Sequence, residues 1–153
     1  MARRTHAVLF LAVLPLVGCS SVHPPRFDVV SVSPAHQSDE GVVLTFTLDA
    51  TNDNADPMPL RTAAYTLTLD GHAVFAGQRS PEATIPSFGS QRFELPAVIP
   101  YDYDIPVGTA KYTITGTVSY LEPGRLKEVL FDTDVRVPEA PLAVGGTIDF
   151  GNE

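Results

Sequence analysis

The chain has 153 residues, 44% of them hydrophobic, with 18 acidic against 10 basic side chains and a formal charge of −8. That length suits one domain of ordinary size, and the acidic balance is a poor match for nucleic acid, so no nucleic-acid partner is expected. A single cysteine, Cys19, excludes an internal disulfide and any zinc centre built from several thiolates.

The chain opens with Arg3 and Arg4, followed by an apolar run over 7–17 (AVLFLAVLPLV). About eleven apolar residues match the h-region of a signal peptide. A helix crossing the hydrocarbon core needs roughly twenty, and Pro15 is a poor interior residue for one. The run ends in Leu16-Val17-Gly18-Cys19, which matches a bacterial lipobox. Small residues before the cleavage point fit a narrow peptidase site, and the Cys19 thiol is the group that accepts a diacylglyceryl chain. The expectation is a signal peptide over 1–18, removed on export, and Cys19 as the lipidated first residue of the mature protein. Several acyl chains together hold a protein firmly to a membrane. Ser20, rather than Asp, follows the cysteine, which favours sorting to the outer membrane in a cell that has one. The expected address is therefore the cell envelope, on the inner leaflet of the outer membrane and facing the periplasm. Loss of Arg3 and Arg4 takes the formal charge from −8 to −10. The lipid, not a basic patch, is the expected membrane partner.

Residues 19–26 read as a short polar tether with a Pro pair, extended by preference. From Phe27 the hydrophobic period is two. A first strand is predicted over 27–32. Next, Val42, Leu44, Phe46, Leu48 and Ala50 share one face of a strand whose other face carries Thr45, Thr47 and Asp49. Tyr65, Leu67 and Leu69 repeat the pattern and run into Asp70-Gly71, the dipeptide of a type I′ turn. Residues 72–76 then return as the hairpin partner, with Val74 and Ala76 expected inward. A strand over 92–95 stops before Pro96. Tyr112, Ile114, Gly116, Val118 and Tyr120 mark the next, the Glu122–Arg125 stretch reads as a turn, and Val129, Phe131, Thr133, Val135 and Val137 mark the last. Prolines fall mostly between these runs, where a missing ladder donor does no harm. About seven turn-bounded strands give an all-β fold, an antiparallel β-sandwich of the immunoglobulin or fibronectin-III kind. The domain is expected over 27–137. Residues 138–153 form either a C-terminal tail or an added edge strand.

The middle of the chain carries a series of short motifs in a fixed order: the alternating strand that ends in Thr51-Asn52-Asp53-Asn54, then Pro59-Leu60, 65–71 (YTLTLDG), Ala76-Gly77, Thr84-Ile85-Pro86, Gly89 and Phe93-Glu94-Leu95-Pro96. In that order and spacing they resemble the WHy domain of the late embryogenesis abundant type 2 family. Asn52, Asp53 and Asn54 stand where the family has an Asn-Pro-Asn-like corner, with Asp53 in the place of the usual Pro. The resemblance implies a sandwich with no catalytic residues, no cofactor and no small-molecule substrate. It also implies protection of client proteins or membranes in desiccation, osmotic or related stress.

Asp53, Asn54 and Asp56 are the candidate metal ligands, since oxygen-rich loops hold calcium. The loop lacks an EF-hand's Gly and terminal Glu, so a structural corner is the favoured reading and no metal is expected. Asp102 and Asp104 could join such a site only if their loop met the corner. His23, His36 and His72 show no ligand spacing, and no Gly-x-Ser-x-Gly elbow is present. The function expected is thus non-catalytic: a membrane-anchored, stress-protective lipoprotein. The competing reading is an envelope interaction module that docks a sheet edge or a Tyr-lined loop on another envelope protein.

Overall fold

The computed structural model describes residues 22–38, 41–122 and 137–151, with the side chains of 34–38 outside the description. Its eight strands are β1 (Arg26–Ser38), β2 (Gly41–Asn52), β3 (Met58–Leu69), β4 (His72–Arg79), β5 (Thr84–Ile85), β6 (Gly89–Pro100), β7 (Thr109–Tyr120) and β8 (Glu139–Asp149). They form two antiparallel sheets. One has the order β1-β2-β6, the other β4-β3-β7-β8 with β5 paired to the start of β3. No helix occurs among the described residues. The expected antiparallel sandwich is the observed architecture.

The two sheets bury their alternating faces against each other. Leu44, Phe46, Leu48, Phe93, Leu95 and Ile99 come from the first sheet, and Leu67, Leu69, Ile114 and Leu142 from the second. The inward row of β2 runs on through Ala50 to Asn52, so that the strand's last residue is polar yet fully buried. Aromatic rings join the layers: Phe46 of β2 packs on Tyr112 of β7 with ring centroids 5.2 Å apart. The Tyr65 hydroxyl of β3 donates to the Pro96 carbonyl of β6, a polar tie between the sheets. Burial pushes the Tyr65 phenol up to about 12, with Arg79 pulling the other way, and burial also raises Tyr112.

Six of the seven expected strands are present. The segment around 129–136, and the turn at 123–125, lie outside the described residues. The Asp70-Gly71 hairpin turn has positive φ at both residues, 44° and 85°, as a type I′ turn requires. Two expectations change. First, the phase of β4 is shifted. A bulge sets Leu67 opposite Phe75 and Thr68 opposite Ala73, so Val74 packs against the core as expected, but Phe75 joins it there, against Tyr65 at 5.5 Å between ring centroids, while Ala76 is exposed. One extra residue reverses the faces of everything after it. Secondly, β6 passes straight through Pro96, with Ala97 and Ile99 continuing the buried row. Among the described residues β6 lies at the margin of its sheet, where a missing donor is tolerated. Of the two alternatives for the segment after Pro138, the added strand is the one observed: eleven residues pair with β7 along their length. Gly116 of β7 shows why no side chain stands there: a Cβ would lie 2.0 Å from the Ala64 carbonyl oxygen of β3.

Candidate functional site

The densest polar constellation lies at the end of the sandwich where β2 stops. Strand alternation points Asn52 inward, and its amide is consumed by the turn that follows. Asn52 Nδ2 donates to the Asp56 carbonyl at 2.8 Å and to the Pro86 carbonyl at 3.1 Å. Asn52 Oδ1 accepts from the Asn54 backbone N–H at 2.9 Å and from Asn54 Nδ2 at 2.7 Å. Such side chains substitute for backbone partners where a strand must end and turn.

Asn54 then reaches outward to the N-terminal segment. Its Oδ1 accepts from the His23 N–H and its Nδ2 donates to the His23 carbonyl, both at 2.8 Å. The Asn54 carbonyl accepts from the Phe88 N–H at 3.0 Å. Asp53 pairs with Arg26 at 2.7 Å on the surface. Pro25 is buried and Val22 packs against the core. The described part of the expected tether of 19–26, from Val22 onward, is therefore docked on the domain.

The site residues named from the sequence fall into three groups. Leu16, Val17, Gly18 and Cys19 lie outside the described residues. Asn52, Asp53 and Asn54 come together as the corner. The metal candidates Asp53, Asn54 and Asp56 do not converge on a cation position: the Asp53 carboxylate faces Arg26, the Asn54 amide is spent on His23 and Asn52, and Asp56 is exposed. Among the described residues no group of three or more His, Cys, Asp or Glu side chains could hold a metal ion. Asp102 and Asp104 follow β6, at the opposite end of the molecule from the corner. The twelve-residue β2 separates them, roughly 35 Å at about 3.3 Å per residue. His72 is exposed at that far end. The residues that sequence reasoning missed are His23, Arg26, Pro86 and Phe88. Their contacts span gaps such as 31 and 34 residues in the chain, and no local pattern signals them.

A family model for late embryogenesis abundant protein matches residues 47–140, from within β2 to the start of β8. The chain belongs to this family, LEA_2. No curated protein matches by sequence. Among solved structures, the LEA_2 chain is similar to one described as a late embryogenesis abundant protein, at 15% identity and a TM-score of 0.63, covering 84% of this chain and 72% of that one. It is similar to an Arabidopsis thaliana protein solved in solution, at 14% identity and a TM-score of 0.64, with 87% and 86% covered. A crystal structure from Archaeoglobus fulgidus shares 10% identity at a TM-score of 0.50, with 84% and 97% covered. At such identities these likenesses speak to the fold. They agree with the family match, which includes the corner, the β3–β4 hairpin and the long β6 and β7 of the LEA_2 sandwich.

Proposed function

We propose that this LEA_2 chain is a non-catalytic lipoprotein of a bacterial envelope, held through acyl groups on Cys19 and facing the periplasm. In this reading its sandwich protects proteins or membranes during desiccation, osmotic or related stress. Family membership supports the stress-related part, and the lipobox supports the anchor. The observation that carries the non-catalytic reading is the occupancy of the corner. Both amide groups of Asn52 and of Asn54 are committed to backbone atoms or to each other, so the most polar cluster of the fold braces it. The outward face of the second sheet supports the protective reading. Thr66 stands beside Thr115 and Thr68 beside Thr113, with Ala64 beside Thr117. Rows of hydroxyls hold water, and small side chains give a partner little apolar area to bury.

The test has two arms. Expression of the full chain in a bacterium with two membranes should yield a protein that lacks 1–18 and carries diacylglycerol on Cys19, read by mass. Cys19→Ser should remain unprocessed and unlipidated. In the second arm, a labile enzyme is dried with and without the mature protein. Activity kept no better than with an equal mass of albumin would rule out protection. The competing docking function draws on Tyr101 and Val107, 61% and 79% exposed at the far end. Crosslinking in intact cells to one stoichiometric envelope protein would favour it.

A further inference from the structure

Phe88 is out of place by two measures. Its φ is 47°, in the left-handed region that bulky side chains avoid, and its ring is 73% exposed. Gly or Asn would take that backbone conformation more cheaply, and a ring this exposed repays little by packing within the chain. The neighbourhood gives it a direction. Phe88 hangs from the Asn54 carbonyl, and the Asn54 side chain clamps both backbone groups of His23. The ring therefore projects from the same corner at which the chain leaves toward Cys19. Only three peptide steps separate Cys19 from Val22, the first described residue, a reach of at most about 11 Å. Pro24 and Pro86 are also exposed at this end, and Val137, 39% exposed, precedes β8 there.

We infer that Phe88 is a membrane-interface contact: when Cys19 is anchored, the corner end of the sandwich faces the bilayer and the Phe88 ring enters its headgroup boundary. This rests on the lipoprotein reading above. The acidic chain has no charge-driven affinity for anionic lipid, so the ring adds orientation to an attachment that the acyl groups supply. The short link makes the second contact effectively intramolecular. The far end, with Tyr101 and Val107, then points away from the membrane.

The chain contains no tryptophan, so Phe88→Trp introduces a single indole reporter. Residues 19–153 hold all the described structure and one thiol, Cys19. That thiol can be coupled to a maleimide-headgroup lipid in phosphatidylethanolamine–phosphatidylglycerol vesicles, which sets the anchor independently of lipidation in cells. The Phe88→Trp emission should shift to the blue on coupling and be quenched at least twofold by brominated acyl chains. Val107→Trp, on the far end, should show neither change. In the unsubstituted protein, amide exchange over 87–89 should slow on the vesicles. Solvent-like emission of Phe88→Trp on the vesicles, with unslowed exchange, overturns the inference. So does a blue shift that appears without vesicles as protein concentration rises, because that assigns the ring to a second copy. Failure of lipidation in cells would sink the anchoring reading and leave this measurement standing.

Discussion

Asn52 is the polar member of a hydrophobic row. Leu44, Phe46, Leu48 and Ala50 precede it on the same face of β2, and all five are fully buried. Simple alternation places its side chain inside. What alternation does not reveal is who satisfies it: the Asp56 and Pro86 carbonyls, the latter 34 residues away. Asn52→Ala would leave those carbonyls and the Asn54 N–H short of partners in a dry setting. We predict a loss of about 3 kcal/mol in urea unfolding, since each orphaned buried group costs about 1–3 kcal/mol. By contrast, Arg26→Ala should cost under about 1 kcal/mol, because the Arg26–Asp53 pair is largely solvated, with side chains 67% and 51% exposed. A large effect at Arg26 and a small one at Asn52 would mean that the corner is held by charge and not by the buried amide.

At the level of single strands, the irregularities decide which side chains face inward. In β3, Leu60 lies opposite Tyr120 and Ala63 opposite Val118, so Arg61 and Thr62 together face Ser119. The inward set therefore changes phase, from Met58 and Leu60 to Ala63, Tyr65, Leu67 and Leu69. Ser119 repairs the ladder at that point: its hydroxyl accepts from the Thr62 N–H at 3.0 Å and donates to the Thr62 carbonyl at 3.2 Å. Ser119→Ala should then cost about 2 kcal/mol and speed amide exchange at Thr62, since an N–H and a carbonyl of the bulge lose their partner together. Unchanged exchange at Thr62 would show that the serine is only a space-filler. The uninterrupted rows of β2 and β7 were legible from residue types alone. The phase of β4 was not, because the extra residue Val74 carries no composition signal. Its position is set by how Phe75 seats against Tyr65.

Across the whole molecule, Tyr65 is a polar link between the layers. The phenol is ionisable, and its folded-state pKa of about 12 lies above the unfolded value near 10. The native state thus favours the protonated phenol. Its contribution is fully present below about pH 10 and is lost as pH rises towards about 12. Tyr65→Phe removes the hydroxyl and strands the Pro96 carbonyl. We predict that the variant is less stable by about 1–2 kcal/mol near neutral pH, and that the gap narrows between about pH 10 and pH 12 in urea melts. A gap that widens over that range would reverse the assigned direction. The same tie gives the Pro96 carbonyl a partner in the opposite sheet.

Residue order carried the period-two pattern and the turn at Asp70-Gly71, because each depends on neighbours one to four positions apart, and the family resemblance, because it rests on the order and spacing of short local motifs. Those signals are enough for an antiparallel sandwich and for its family. Pairing over tens of residues supplied the rest. It tied His23 to Asn54, brought Pro86 and Phe88 to the corner, kept Asp102 and Asp104 a strand's length from it, and added β8 to the edge of β7. A backbone group that lacks a ladder partner takes whichever polar atom the closed sandwich presents, and the linear order of residues does not encode which atom that is.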